Sequence, residues 1–157
     1  MNCYCDSSFF LRQLLSSPLR AAAVQVAAQI EKEFSFVPLT LLTRFEVIQA
    51  LRFEAWRNRN DRTKGVPRAQ VDIALNLFAA EVGSAFQIVP LVWENVFLRA
   101  ELLTRSTPEN GWRTLDVIHV ASAISLGAKR FFSYDRNQNA LANREGLETP
   151  LQAVAKS

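Results

Sequence analysis

The sequence predicts an α/β fold, with one domain over residues 1–150 and a short C-terminal tail at 151–157. Its core is expected to be a central, mostly parallel sheet of about four to five short strands, covered by helices on both faces. Three observations predict it. Short apolar runs recur at residues 2–5, 34–37, 86–89 and 130–134, each too brief for a helix. Longer stretches with apolar residues three and four apart separate them, as crossover helices would. Gly and Pro punctuate the joins, and no repeat or low-complexity tract interrupts the pattern.

Taken in order, Asn2 to Cys5 reads as a buried strand that stops at Asp6. Ser7 and Ser8 then offer an N-cap to a short helix carrying Phe9, Phe10, Leu11, Leu14 and Leu15. Ser17-Pro18 is expected to open a long Ala-rich helix as cap and first-turn proline, running to about Glu33. Phe34 to Val37 alternates like a strand and is expected to end at Pro38. A second long helix begins near Thr40 and runs through Trp56 to about Arg59, before a polar segment from Asn58 to Gly65. Pro67 starts another helix that ends before Gly83, and Phe86 to Val89 is the third strand. A helix from about Trp93 to Arg105 leads to a loop at Pro108, Asn110 and Gly111. Thr114 to Leu126 forms a helix closed by Gly127, Arg130 to Tyr134 the fourth strand, and Asp135 to about Arg144 a last helix ended by Gly146.

Composition narrows the function classes. The chain has 157 residues, 49% of them hydrophobic and 11 of them Phe, enough for a proper core. A balance of 18 Lys+Arg against 15 Asp+Glu gives only +3, too mild to argue nucleic-acid binding alone. Yet 14 of the 18 cations are Arg, whose planar fork suits phosphate. Cys3 and Cys5 point the same way in a strand and are too close for an ordinary disulfide, so they read as a buried reduced pair in a cytosolic protein. A single histidine, His119, leaves little room for a His-built zinc site or a Ser-His-Asp triad. No apolar stretch approaches a membrane span and no export signal opens the chain, so a cytoplasmic protein without membrane contact is expected.

Four carboxylates sit where a charge is costly or exposed to a ligand. Asp6 follows the first strand at its C-terminal end, where open α/β sheets bind ligands; its structural role would be to cap the next helix. Glu46 shares a helix face with Leu42, Ala50 and Phe53, so it is expected to be buried and to need an Arg partner or a metal. Asp116 lies in the first turn of a helix that is apolar nearly all round, although the helix dipole alone would favour an acid there. Asp135 ends the last strand and, with Gln138, could form a variant capping box. Glu31, Glu33, Glu54, Asp72, Glu94 and Glu101 fall on solvated helix faces.

Together these four acids match a family. The segments Tyr4-Cys5-Asp6-Ser7-Ser8-Phe9-Phe10-Leu11, Leu42 to Leu51 around Glu46, and above all Arg113-Thr114-Leu115-Asp116-Val117-Ile118-His119-Val120-Ala121-Ser122-Ala123 through Tyr134-Asp135-Arg136 resemble the PIN-domain nucleases. Within them the chain is similar to the VapC-type toxins of toxin–antitoxin pairs, from residue 2 to about 148. Cys3 and Cys5 in the first strand, and the long basic arm at Asn58 to Lys64, depart from the usual pattern.

The resemblance implies a metal-dependent ribonuclease whose Asp6 and Asp116 bind Mg²⁺ or Mn²⁺, with Glu46 and Asp135 completing the cluster directly or through water. Hard carboxylate oxygens are what those ions prefer, and crowded carboxylates favour a cation. Ser133, and Ser7 beside Asp6, are expected to orient a carboxylate or water. Arg52, Arg57 and Arg59, with Phe53 and Trp56, mark a surface for RNA, for a small antitoxin or for a homodimer; a solvated helix end would account for the same charges. Two other classes fit less well. A non-cleaving PIN-like RNA- or protein-binding module would be expected to have lost one of the acids. A phosphotransfer domain would need an Asp-x-Asp pair or a glycine-rich phosphate loop, and Ser7 and Ser8 stand after Asp6 instead. A housekeeping RNA-processing nuclease remains the alternative to a toxin.

Overall fold

The computed structural model describes residues 2–151, so the expected tail lies almost wholly outside the described residues. The chain forms two compact units, one made of the first strand through Asp6 with the chain from Pro90 onward, the other of Ser7–Val89. The α/β class is borne out, and every strand pairing is parallel. The strands pair two by two, one ladder in each unit.

In the first unit, β1 (Cys3–Cys5) pairs with β4 (Arg130–Phe132), Tyr4 opposite Phe131. The two rings stack at 5.5 Å and 8° between planes, which fixes the register with bulky flat groups. The Asp6 N–H donates to the Phe132 carbonyl at 3.1 Å, carrying the ladder one residue past the strand. On the other edge of β4, the Phe131 N–H donates to Glu148 O at 2.7 Å and the Glu148 N–H to Lys129 O at 2.9 Å. β4 is thus bonded along both sides.

Between β1 and β4 in sequence come α5 (Trp93–Leu103), a 3-10 turn (Thr104–Ser106), the short α6 (Thr107–Asn110) and α7 (Thr114–Ser125); α8 (Arg136–Arg144) follows β4. α7 is the spine of this unit. Asp116, Val117, His119, Val120, Ala121, Ser122 and Ala123 are all buried, as a helix apolar nearly all round requires. Its small residues let it pack against Val96, Ala100 and Leu103 of α5, and against Leu141 and Ala142 of α8. Gly127, at φ 68°, ends it: the Gly127 N–H reaches Ile124 O at 2.9 Å and the Ala128 N–H reaches Ala123 O at 3.0 Å. His119 is wholly buried with Nδ1 2.7 Å from the Tyr4 hydroxyl, a core hydrogen bond.

The second unit holds α1 (Ser7–Leu14), α2 (Arg20–Phe34), β2 (Val37–Thr40), α3 (Leu41–Asn60), α4 (Arg68–Glu81) and β3 (Phe86–Val89). Its centre is aromatic: Phe10 meets Phe86 at 5.1 Å and Phe78 at 6.0 Å, both edge to face. α3 opens on Thr40, whose hydroxyl accepts the Thr43 N–H at 3.1 Å, and buries Thr43, Val47 and Leu51 at four-residue spacing.

Several boundaries differ from the sequence reading: β4 stops at Phe132, the expected loop at Pro108 to Gly111 contains the short α6, and three further differences have local causes. Ser17 does not cap α2; its carbonyl accepts the Arg20 N–H at 3.1 Å, so Ser17-Pro18 makes a turn before the helix. α2 keeps Phe34 and stops because Ser35 turns left-handed at φ 69°. β2 contains Pro38 instead of ending there. The Val37 N–H bonds Ala85 O at 2.8 Å, so the next residue faces the edge away from β3, where a missing N–H costs no ladder bond.

Gly65 has a firmer requirement. It sits at φ 65° beneath the last turns of α3, and an added Cβ would strike Glu54 O and lie 2.8 Å from Arg57 Cβ. A left-handed conformation together with a backbone collision makes Gly65→Ala cost about 2–4 kcal/mol. Urea unfolding should read this; a loss below ~1 kcal/mol would mean the Asn58 to Gly65 turn gives way without strain.

Candidate active site

Three of the four expected acids are joined by one hydrogen-bond network in the first unit. Asp6 leaves the end of β1 fully buried, and its Oδ2 accepts the Ser133 hydroxyl at 2.8 Å. The same Ser133 oxygen accepts the Asp135 N–H at 2.9 Å, and the Ser133 carbonyl accepts Asn139 Nδ2 at 2.9 Å. A hydroxyl has one proton to give and lone pairs to receive, so Ser133 can serve an ionised Asp6 and the Asp135 backbone at once. Ser133 therefore holds one oxygen of the Asp6 carboxylate.

Asp135 is the N-cap of α8. Its Oδ1 accepts the N–H groups of Asn137 at 2.8 Å and Gln138 at 3.1 Å, so the capping role is real. Its Oδ2 does something else, accepting Arg113 Nη2 at 3.2 Å. Arg113 is itself the N-cap residue of α7, and its fork also grips Asp116, Nε to Oδ2 at 3.0 Å and Nη2 to Oδ1 at 3.4 Å. The Asp116 side chain is only 3% exposed, the Asp135 side chain 31%, and the Arg113 side chain 64%. The hydrogen bond to Asp116, then the charges of Asp116 and Asp135, raise the Arg113 pKa above its ordinary value.

Arg113 is the functional candidate that residue-by-residue reading missed. The signal was present: an Arg three residues before an acid at a helix start places the two side chains on one face. Weighing only the acids left it out.

Glu46 belongs to the second unit, midway along α3. The expectation that it is buried fails: it is half-buried, because the inward stripe is Thr43, Val47 and Leu51 and Glu46 stands at its flank. Phe53 on its own face is 49% exposed, so the apolar neighbours that suggested burial do not all face inward. Ser7 is the first residue of α1 and half-buried.

Cys3 and Cys5 are free, buried thiols. Burial first, then the hydrogen bond with Cys3 and the charges of Cys3 and Asp6, push the Cys5 thiol well above its ordinary pKa. A thiol held protonated is a poor nucleophile and metal ligand, which leaves oxygen as the donor of this region.

The donors here are hard oxygens, buried carboxylates and a serine hydroxyl, of the kind that Mg²⁺ and Mn²⁺ prefer. Among the described residues no three His, Cys, Asp or Glu side chains stand together as a ready ligand set. The charge between Asp116 and Asp135 is met by Arg113.

The basic arm forms a separate surface in the second unit. Phe53 and Trp56 stack at 5.1 Å and are 49% and 56% exposed. A groove of about 650 Å³ runs beside them, lined by Arg52, Trp56, Arg59, Arg62 and Arg68. Arg57 turns instead to Glu54 at 2.8 Å.

The family model of the PIN domain matches residues 3–144. No curated protein sequence matches the chain. Among solved structures, PAE2754 from Pyrobaculum aerophilum is similar at 18% identity and a TM-score of 0.59, over 99% of this chain and 94% of that one. VapC20 of Mycobacterium tuberculosis, a toxin that cleaves the sarcin-ricin loop, is similar at 15% identity and a TM-score of 0.60, over 88% of this chain and 94% of its own. At such identities the likeness concerns the fold.

Proposed function

Because the chain belongs to the PIN domain family, we propose that it is a metal-dependent endoribonuclease, the toxin of a toxin–antitoxin pair acting in the cytoplasm. The observation that carries this reading is the network through Ser133 and Arg113, which joins two deeply buried carboxylates, Asp6 and Asp116, to the half-exposed Asp135. Buried acids of one sign are costly to a fold that has no use for them.

Asp6 and Asp116 would hold Mg²⁺ or Mn²⁺, with Asp135 completing the set within the first unit. The ion would supply a water made nucleophilic at neutral pH and charge neutralisation on the phosphate. The residues of the chain do the rest. Ser133 fixes the Asp6 carboxylate by its hydroxyl, and the α8 N-terminus fixes Asp135 by two backbone N–H groups, so both oxygens point without side-chain search. Water adds to phosphorus and the bond to the 3′ oxygen breaks, leaving a 3′-hydroxyl and a 5′-phosphate.

The groove beside Phe53 and Trp56 supports a partner surface, for RNA through its arginines or for an antitoxin through its rings. The exposed Trp93, Phe97 and Leu98 of α5 support a homodimer, to be read by light scattering. The resemblance to VapC20 in fold supports the toxin role over housekeeping RNA processing. One observation favours a non-cleaving module instead, the arginine lying between two of the acids.

The test is cleavage of a synthetic structured RNA by the purified protein. Mn²⁺ or Mg²⁺ should give fragments bearing 5′-phosphates, and excess chelator should stop it. Intact RNA with both ions, or cutting unaffected by chelator, would overturn the reading.

A further inference from the structure

We propose that Arg113 is a displaceable counter-ion of the acidic site: its guanidinium holds Asp116 and Asp135 together until a divalent cation takes its place, and then turns out to solvent. The inference rests on the metal-binding reading above and adds a residue that opposes the metal.

The geometry points that way on three counts. One nitrogen, Arg113 Nη2, serves both carboxylates, 3.4 Å from Asp116 Oδ1 and 3.2 Å from Asp135 Oδ2, while Nε takes the second Asp116 oxygen at 3.0 Å. Both oxygens of Asp116 are thus engaged by a cation supplied by the chain itself. A metal bound through these oxygens would face the guanidinium across one carboxylate, well inside the roughly 8–10 Å over which salt screens charge. Two cations that close repel, and one must go.

The exposures say which. The Asp116 side chain is 3% exposed and stays where α7 holds it, whereas Arg113 is 64% exposed and reaches the acids from the rim. An ion pair with so exposed a partner is weak, and a long side chain returned to water regains its rotamers. Charge accounting agrees: one guanidinium offsets half of the two carboxylates, and a divalent ion offsets both.

An arginine built only to brace the site would make the opposite forecast. Removing a brace loosens the carboxylates and weakens metal binding; removing a competitor strengthens it. The sign of the change therefore decides between the two roles.

Mn²⁺ alone is the probe, titrated into the full-length protein with free Mn²⁺ read by electron paramagnetic resonance. Arg113→Gln should bind Mn²⁺ roughly tenfold tighter than the parent chain, the change expected for losing one charge-assisted contact set. Arg113→Lys, which keeps the charge, should stay near the parent value. Equal or weaker binding by Arg113→Gln, with the parent binding normally, overturns the role of Arg113 and leaves the metal reading standing. No binding by any of the three proteins overturns both. Should Arg113→Gln fail to fold, the parent chain answers by nitrogen-15 NMR. Saturating Mg²⁺ should speed exchange of the Arg113 Nε proton with water, and an unchanged rate would overturn displacement.

Discussion

Asp116→Asn is expected to cut RNA about a thousandfold more slowly than the parent chain, or slower still, with its fold intact. Asparagine keeps the shape of the side chain and removes its charge. If Asp116 holds the ion that activates water and neutralises phosphate, several kcal/mol of transition-state stabilisation go with it, at about 1.4 kcal/mol for each factor of ten. The fold should tolerate the change because the Arg113 partner is exposed and an ion pair of that kind contributes little. Circular dichroism and a thermal melt near the parent values, beside a rate collapse in single-turnover assays, are the expected pair of results. An undiminished rate in the folded variant would remove Asp116 from the chemistry.

The largest expected loss of stability belongs to Phe131→Ala. Phe131 is wholly buried in β4, stacks on Tyr4, and lies in the cluster formed with Val120 and Leu141. Deleting a buried phenyl ring costs about 3–5 kcal/mol from lost transfer energy and the cavity left behind. A domain of this size commonly has about 5–15 kcal/mol in all, so the variant should be marginal. Urea unfolding measures it, and a loss under ~1.5 kcal/mol would mean the surrounding side chains close the gap. Ser133 and Asp135 follow two and four residues after Phe131, so activity should fall along with stability.

Much of this was readable beforehand, for physical reasons. The stretch from Arg113 to Asp135 was plainest, because a helix apolar nearly all round has one place to go, and Gly127 marks its end in the backbone itself. Asp135 was legible as a cap, but the capping box suggested by Gln138 is only half formed, because the Asp135 N–H bonds Ser133 Oγ and not the Gln138 side chain. Pro38 was misread as a stop because proline's cost depends on which strand edge it faces, and that is set by pairing with a segment some fifty residues away. Glu46 was misread because helical spacing tells which residues share a face but not how deeply that face is sunk. Arg113 was overlooked because its meaning lies in its contacts, one local with Asp116 and one with Asp135 across 22 positions of sequence.

The bond between Phe131 and Glu148 carries a last consequence. The family match stops at residue 144, yet the backbone at 148 closes the open flank of β4. A chain shortened to the matched segment would bare a row of backbone donors and acceptors next to Ser133, inviting another molecule to add a strand there. The recognisable family segment is therefore smaller than the unit whose β4 edge is closed, and truncations for expression should keep Glu148.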